Sequence, residues 1–369
     1  MSLIQKPLLD LYIKQVQNLK RNGVKIIGFT CSYVPEEIIY AAHAFPLRLN
    51  LGGVEDIAVE GGELMSVGTC PYARSTLGYF LKNHPLYSQC DLVITGNFCN
   101  AMETIQDYAE YLKIPITNLD VPRRMDPVCN KYFYKEISLF KESIEQFCGA
   151  KISDDAIIKS IEIYNELRTQ LKKINELRMQ ENPALTGTES LHLVQETFLS
   201  DKKEMVKKLK DVYSRLKDRH LNYNRKRVVL SGSNIAFDDE VVQTIEELNG
   251  LVVGEDSCTG MRFYWDNVEL AIDPIQSLTT RYLTKIPCAR MYPDSARFDF
   301  IKEISEKYHA SGIINYNLKF CDPFQLKKYP LKTFVEQKLG IPILILEREY
   351  TQGDQGQIQN RIQAFLEML

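Results

Sequence analysis

The chain is predicted to be α/β, with two similar doubly wound (Rossmann-like) parallel-sheet domains and a helical insert between them. Three observations lead there. Short apolar runs closed by Gly, Asn or Asp alternate with helical periodicity at both ends of the chain, which is the pattern of βαβ units. The two ends also echo each other. Asp91-Leu92-Val93-Ile94-Thr95 leads to Cys99, a helix and Ile114-Pro115-Ile116, while Gly312-Ile313-Ile314-Asn315-Tyr316 leads to Cys321, a helix and Ile341-Pro342-Ile343. Between them lies a charged stretch with apolar residues at three- and four-residue spacing and no strand pattern. The expected division is 1–130, 131–222 and 223–369.

In chain order, residues 8–20 form an amphipathic helix with Leu9, Tyr12, Val16 and Leu19 on one face. Val24 to Phe29 is a buried strand, and Pro35 is placed at the first helical position with Glu36 and Glu37 in the first turn, where the dipole favours acids. His43 ends that helix as an ordinary histidine. Residues 50–69 read as Gly-rich and irregular, and a helix follows Cys70. Asp91–Thr95 and Ile114–Leu119 are strands, with a helix between them to about Leu112. Gly149 stops one insert helix, Ser153 caps the next, and Asn182-Pro183 with Gly187 breaks the run. The Lys-rich helix around Met205 to Leu216 has mixed charge and reads as a solvated face. Strands near 228–231, 250–254, 311–316 and 341–346 rebuild the sheet pattern, and a helix closes the chain.

Composition narrows the function. At 369 residues, with 44% apolar and 25% charged residues, the chain is an ordinary globular protein large enough for two domains. A net charge of −3 gives no bulk attraction to nucleic acid or an anionic membrane. There is neither a spanning apolar run nor a secretory h-region, so the expected location is the cytoplasm. Nine scattered cysteines in a reducing compartment are not a disulfide framework. The P-loop, dinucleotide, His-Glu-x-x-His and Gly-x-Ser-x-Gly motifs are all absent. What remains is cysteine where loops meet helices. Cys70, Cys99 and Cys321 sit so, and helix N-termini stabilise thiolates, as metal ligation requires. Three thiolates suit an iron–sulfur cluster with one open iron, or zinc with one open position.

Several stretches together resemble the D-component family of 2-hydroxyacyl-CoA dehydratases, which includes benzoyl-CoA reductase subunits. They are Cys31-Ser32-Tyr33-Val34-Pro35-Glu36-Glu37 through Ala42, Cys70-Pro71-Tyr72-Ala73-Arg74, Phe98-Cys99-Asn100, Asp120-Val121-Pro122, Glu255 through Tyr264, Cys321-Asp322-Pro323, and Gly356 through Arg361. The resemblance implies two similar α/β domains and a [4Fe-4S] cluster held by Cys70, Cys99 and Cys321. It implies Ser32 near the open iron as the residue touching substrate. It also implies an acyl-CoA substrate, a related sister subunit or a second copy of the chain, and an ATP-dependent iron–sulfur activator. The implied reaction is dehydration. One electron converts the thioester to a ketyl radical anion that expels the adjacent hydroxyl, which makes the β-proton acidic, and the electron returns with the product. The alternatives are a benzoyl-CoA-reductase-type subunit and a non-catalytic iron–sulfur electron-transfer protein. Cys31 and Cys258 are further thiols for which packing is the expected role, a fourth cluster sulfur from Cys31, or ligation by Cys258, being the alternative. Glu55 and Glu63 are candidate acids near the site, and Arg74 and Arg262 are candidates for CoA phosphates. The family often has Cys-Asp where this chain has Cys99-Asn100.

Overall fold

The computed structural model describes residues 5–221, 224–271, 273–351, 353 and 355–369. Two four-stranded, all-parallel sheets carry the fold. The first is built from β1 (Ile26–Phe29), β2 (Phe45–Arg48), β3 (Leu92–Thr95) and β4 (Ile116–Asn118), in the order β2-β1-β3-β4. The second is built from β5 (Lys226–Gly232), β6 (Gly250–Asp256), β7 (Gly312–Leu318) and β8 (Ile343–Arg348), in the order β6-β5-β7-β8. The two orders are the same topology. β1 and β5 occupy equivalent places, as do β3 and β7, which is the equivalence the sequence echo predicts. In each sheet the strand order reverses beside the inner strands, so the switch points lie after β1 and β3, and after β5 and β7. β5 buries Val228 and Leu230 on one face and Val229 on the other, as a strand covered on both sides must.

Some local expectations are corrected. β2 is a strand the periodicity did not reveal: Phe45-Pro46-Leu47-Arg48 has no alternation because all four residues are buried. The stretch 50–69 is not wholly irregular, since Glu55–Gly62 is a helix. Pro35 lies one residue outside its helix, as the extended cap of Glu36–Ala41. Glu36 and Glu37 stand in the first turn as expected and are also buried anchors. Glu37 pairs with Arg168 and accepts from Tyr282 Oη at 2.7 Å, and Glu36 accepts from Tyr164 Oη at 3.1 Å. Gly187 opens the helix Gly187–Thr197 behind a capping box formed by Thr186 and Glu189. The expected single helix after Cys99 is broken into short turns, Asn100–Glu103, Thr104–Tyr108 and Ala109–Leu112.

Four helices separate the sheets in sequence: Pro127–Cys148, Asp154–Glu176, Gly187–Thr197 and Lys202–Leu216. The second of these spans the fold. Ile157 and Ile161 near its start pack in the cluster that holds Ile27, Phe29 and Ile94. Tyr164, Leu167, Leu171 and Ile174 pack with Val229, Leu251 and Val253. The cluster around Ile27 continues through Leu230 and Ile314, so apolar contact ties the sheets together. Their carboxyl edges face each other: Asn234 Nδ2 donates to Asn50 Oδ1 at 2.7 Å, and Arg48 donates to the Cys258 carbonyl at 2.9 Å. No helix among the described residues is long and apolar enough to cross a membrane.

Candidate active site

Three cysteines open three helices on these facing edges. Cys70 is the cap residue of Pro71–Leu81, Cys99 of Asn100–Glu103 and Cys321 of Asp322–Phe334. Each cap has a local cause. Pro71 and Pro323 favour the first turn of their helices, where a missing N–H costs nothing. The helix after Cys70 crosses Glu55–Gly62 at reciprocal glycines. A Cβ on Gly61 would lie 1.8 Å from the Arg74 carbonyl oxygen, and one on Gly78 would lie 2.0 Å from that of Ile57. Only that close approach lets the helix carry Cys70 to the edge. Phe320, just before Cys321, has φ 61, a left-handed conformation that bulky residues rarely adopt.

The thiols share one electrostatic neighbourhood. Cys321 donates a hydrogen bond to Cys70, and this bond, with the N–H groups of Tyr72 and Ala73, holds the Cys70 thiol below its ordinary range despite burial. The same bond, followed by burial and the charge of Cys70, raises Cys321. Burial pushes Cys99 up to about 12, with Cys70 adding and the N–H of Met102 opposing. Burial also lifts Cys31 to about 11, and Cys258 and Cys288 add to it. The set is thus one first-sheet thiol hydrogen-bonded to a second-sheet thiol, with Cys99 alongside. Arg290 ties down the loops that carry Cys99, donating to the carbonyls of Asn97 at 2.9 Å and Val121 at 3.0 Å. The Asp120-Val121-Pro122 stretch therefore serves as backbone acceptor for a second-half arginine.

Ser32 lies at the first switch point, after β1, and is 8% exposed. Its partner is Lys285, 253 residues away, whose Nζ reaches Ser32 Oγ at 3.0 Å and lies 4.5 Å from the centre of the Tyr33 ring. Lys285 is 2% exposed. Burial and the charge of Arg281 pull its pKa down to about 7, while Cys31 opposes. Tyr33 Oη in turn accepts from the backbone N–H of Cys288 at 3.2 Å. Sequence reading missed both Lys285 and Arg290, because nothing in a lone Lys or Arg announces a partner in the other half.

The remaining candidates divide clearly. Arg74 donates to the Thr69 carbonyl at 3.1 Å and pairs with Glu349 at 3.5 Å. Arg262 pairs with Asp256 at 3.3 Å and donates to the Gly232 carbonyl at 2.7 Å. Both are buried, with their guanidinium groups engaged in structural ion pairs. Glu55 is half-buried at the start of its helix, and Glu63 is exposed at the end of the same helix. The Cys258 thiol donates to Asn234 Oδ1 at 3.3 Å, a bond that locks the edge of the second sheet. Asn100, the departure from the family pattern, donates to Asp322 Oδ2 at 3.4 Å. An aspartate there would set two carboxylates against each other. Beside this contact lies a cavity of about 400 Å³, lined by Cys99, Asn100 and Asp322 with Arg123, Arg290 and Lys327.

The donor set fits a thiolate-bound cluster. It has three thiols, each at a helix start, with backbone N–H groups directed at Cys70 and Cys99. Among the described residues, no three His, Cys, Asp or Glu side chains converge as a single ion would need.

A model of the family described as 2-hydroxyglutaryl-CoA dehydratase, D-component, matches residues 31–369. The chain is 26% identical to the (R)-phenyllactyl-CoA dehydratase beta subunit of Clostridium sporogenes, over 96% of this chain and 94% of that one. It is 25% identical to the beta subunit of (R)-2-hydroxyglutaryl-CoA dehydratase from Acidaminococcus fermentans, over 95% and 94%. It is 27% identical to one of the subunits of benzoyl-CoA reductase from Thauera aromatica, over 82% and 80%. With two same-order parallel sheets and a family match that takes in Ser32, Cys70, Cys99 and Cys321, the chain belongs to the 2-hydroxyglutaryl-CoA dehydratase D-component family.

Proposed function

We propose that this chain is the iron–sulfur subunit of a cytoplasmic 2-hydroxyacyl-CoA dehydratase, with Cys70, Cys99 and Cys321 holding a [4Fe-4S] cluster. What supports the reading is that Cys70, Cys99 and Cys321 each cap a helix on the facing edges of the two sheets, with Cys321 hydrogen-bonded to Cys70. When bound, the cluster supplies one-electron transfer and Lewis acidity. The chain's own residues do the rest. Ser32 directs a hydroxyl at the acyl group, and the buried edges around it exclude water. The exposed Arg123, with Arg290 and Lys327 at the cavity beside Cys99, replaces Arg74 and Arg262 as the candidate set for the CoA phosphates. A related sister subunit or a second copy completes the enzyme, and an ATP-hydrolysing iron–sulfur protein delivers the electron.

Anaerobic purification with iron and sulfide analysis, and EPR after one-electron reduction, tests the cluster. Protein that takes up no iron under anaerobic reconstitution refutes the reading. The similarity to a benzoyl-CoA reductase subunit supports a second reading, an aryl-CoA reductase. Anaerobic turnover of 2-hydroxyacyl-CoA thioesters against benzoyl-CoA separates the two.

A further inference from the structure

Lys285 is buried with an unusual set of neighbours. The charged groups acting on it are the cations Arg281 and Arg262 and the thiols Cys31 and Cys258. The buried carboxylates in the surrounding elements are already engaged. Glu37 is held by Arg168 and Tyr282, and Asp256 by Arg262, Arg297 and Ser231. Lys285 makes no ion pair among the described residues, and its hydrogen bond goes to a neutral hydroxyl, Ser32. Burying an ammonium without a counter-charge is costly, and the lowered pKa of Lys285 reflects that cost.

The geometry has a directional consequence. Protonated Lys285 only donates, so in that form Ser32 Oγ accepts from it and keeps its own hydrogen to give. No acceptor for that hydrogen is present among the described residues. A cation bound at the oxygen also polarises the O–H and makes it a stronger donor. We propose that Lys285 is a positioning residue that holds the Ser32 hydroxyl as a donor toward an acceptor oxygen of the bound acyl group. The class of ligand atom follows: a thioester carbonyl or an ionised oxygen fits opposite Ser32, and a group that only donates does not. The choice of an acyl oxygen rests on the dehydratase reading, whereas the orientation of Ser32 by Lys285 does not.

The test uses the full chain reconstituted with iron and sulfide, assembled with its partner subunit and supplied with the ATP-hydrolysing activator, in wild type, Lys285→Met, Lys285→Arg, Ser32→Ala and the double variant Lys285→Met/Ser32→Ala. With a 2-hydroxyacyl-CoA that the wild type turns over, Lys285→Met lowers kcat/KM about 10- to 100-fold, the scale of one charge-assisted hydrogen bond. Lys285→Arg restores most of it, and the double variant is no worse than Ser32→Ala. The melting temperature of Lys285→Met stays level or rises, because a buried unpaired charge has gone. Activity of Lys285→Met within about twofold of wild type, or losses that multiply in the double variant, overturns the proposal. A second readout needs no turnover. In Ser32→Cys, the alkylation rate of the new thiol against pH, resolved by peptide mass spectrometry, gives its apparent pKa. That value is about 1–3 units lower with Lys285 than with Lys285→Met. Equal values overturn the proposal whatever the substrate. A lowered value in an assembled, activated enzyme that turns over no 2-hydroxyacyl-CoA upholds the orientation and refutes the dehydratase reading instead.

Discussion

The two halves share one topology and are built differently on it. Strands of the first sheet are four, four, four and three residues long, and those of the second are seven, seven, seven and six. The short-stranded half carries two of the three capping thiols, Cys70 and Cys99, on loops that leave the sheet early. The long-stranded half carries one, Cys321. After β6, where the first half has Cys70 following β2, its polar groups are spent on structure: Asp256 holds Arg262 and Arg297, and Cys258 bonds Asn234. The same fold thus carries two of the three capping thiols in one half and one in the other.

The sharpest way to break this comparison is to exchange thiols. Cys99→Ala is expected to lose cluster binding and all activity, while Cys258→Ala keeps its iron, as read by iron and sulfide analysis after anaerobic reconstitution. Equal iron in both variants would remove the distinction between the halves. Next in size, Asp256→Asn leaves Arg262 and Arg297 without their shared carboxylate and should cost about 3–5 kcal/mol in denaturant unfolding. Gly78→Ala drives a methyl into the Ile57 carbonyl and should cost about 1–3 kcal/mol. It should also weaken iron retention, because the helix that moves carries Cys70. An unchanged iron content with a lowered midpoint would show that the helix crossing does not position the thiol.

Smaller effects probe the boundary between the halves. Asn100 and Asp322 are equivalent residues, each following a capping cysteine, and they meet at 3.4 Å. Asn100→Asp should lower stability at neutral pH by about 1 kcal/mol through like-charge contact and raise the pKa of one carboxyl, with the loss shrinking as pH falls. A pH-independent loss would rule out that cause. The smallest expected effect concerns Glu145, in the helical stretch between the sheets. The ammonium of Lys151, the N–H of Ile152 and the ammonium of Lys141 hold its carboxyl at about 2. A depressed carboxylate stabilises the fold above its unfolded pKa of about 4.3, and the contribution fades as pH drops toward 2. Glu145→Gln should flatten the acid limb of the melting temperature over that window and leave the iron content alone.

Much was legible in the chain because the signals were local. A Pro beside a capping Cys and an apolar run closed by Gly are written within a few residues. The echo of Asp91–Thr95 in Gly312–Tyr316 foretold that β3 and β7 would take equivalent places. β2 escaped because a strand buried on both faces has no alternation to read. The partners of Glu36 and Glu37 escaped for the same kind of reason. A first-turn acid looks alike whether water or Arg168 stands opposite it.

By itself, then, the sequence determined the alternation of strands and helices, the doubling of the sheet, the placing of Cys70, Cys99 and Cys321 at helix starts, and the family to which they belong. Tertiary structure alone decided which groups meet. It set Lys285 on Ser32 and Asn100 against Asp322, directed Arg290 to the loops beside Cys99, and withdrew Arg74 and Arg262 into buried pairs. Caps and periodicity act over a turn or two of chain, whereas the cost of burying a charge is met by whatever partner the packing brings, and that partner can be 253 residues away.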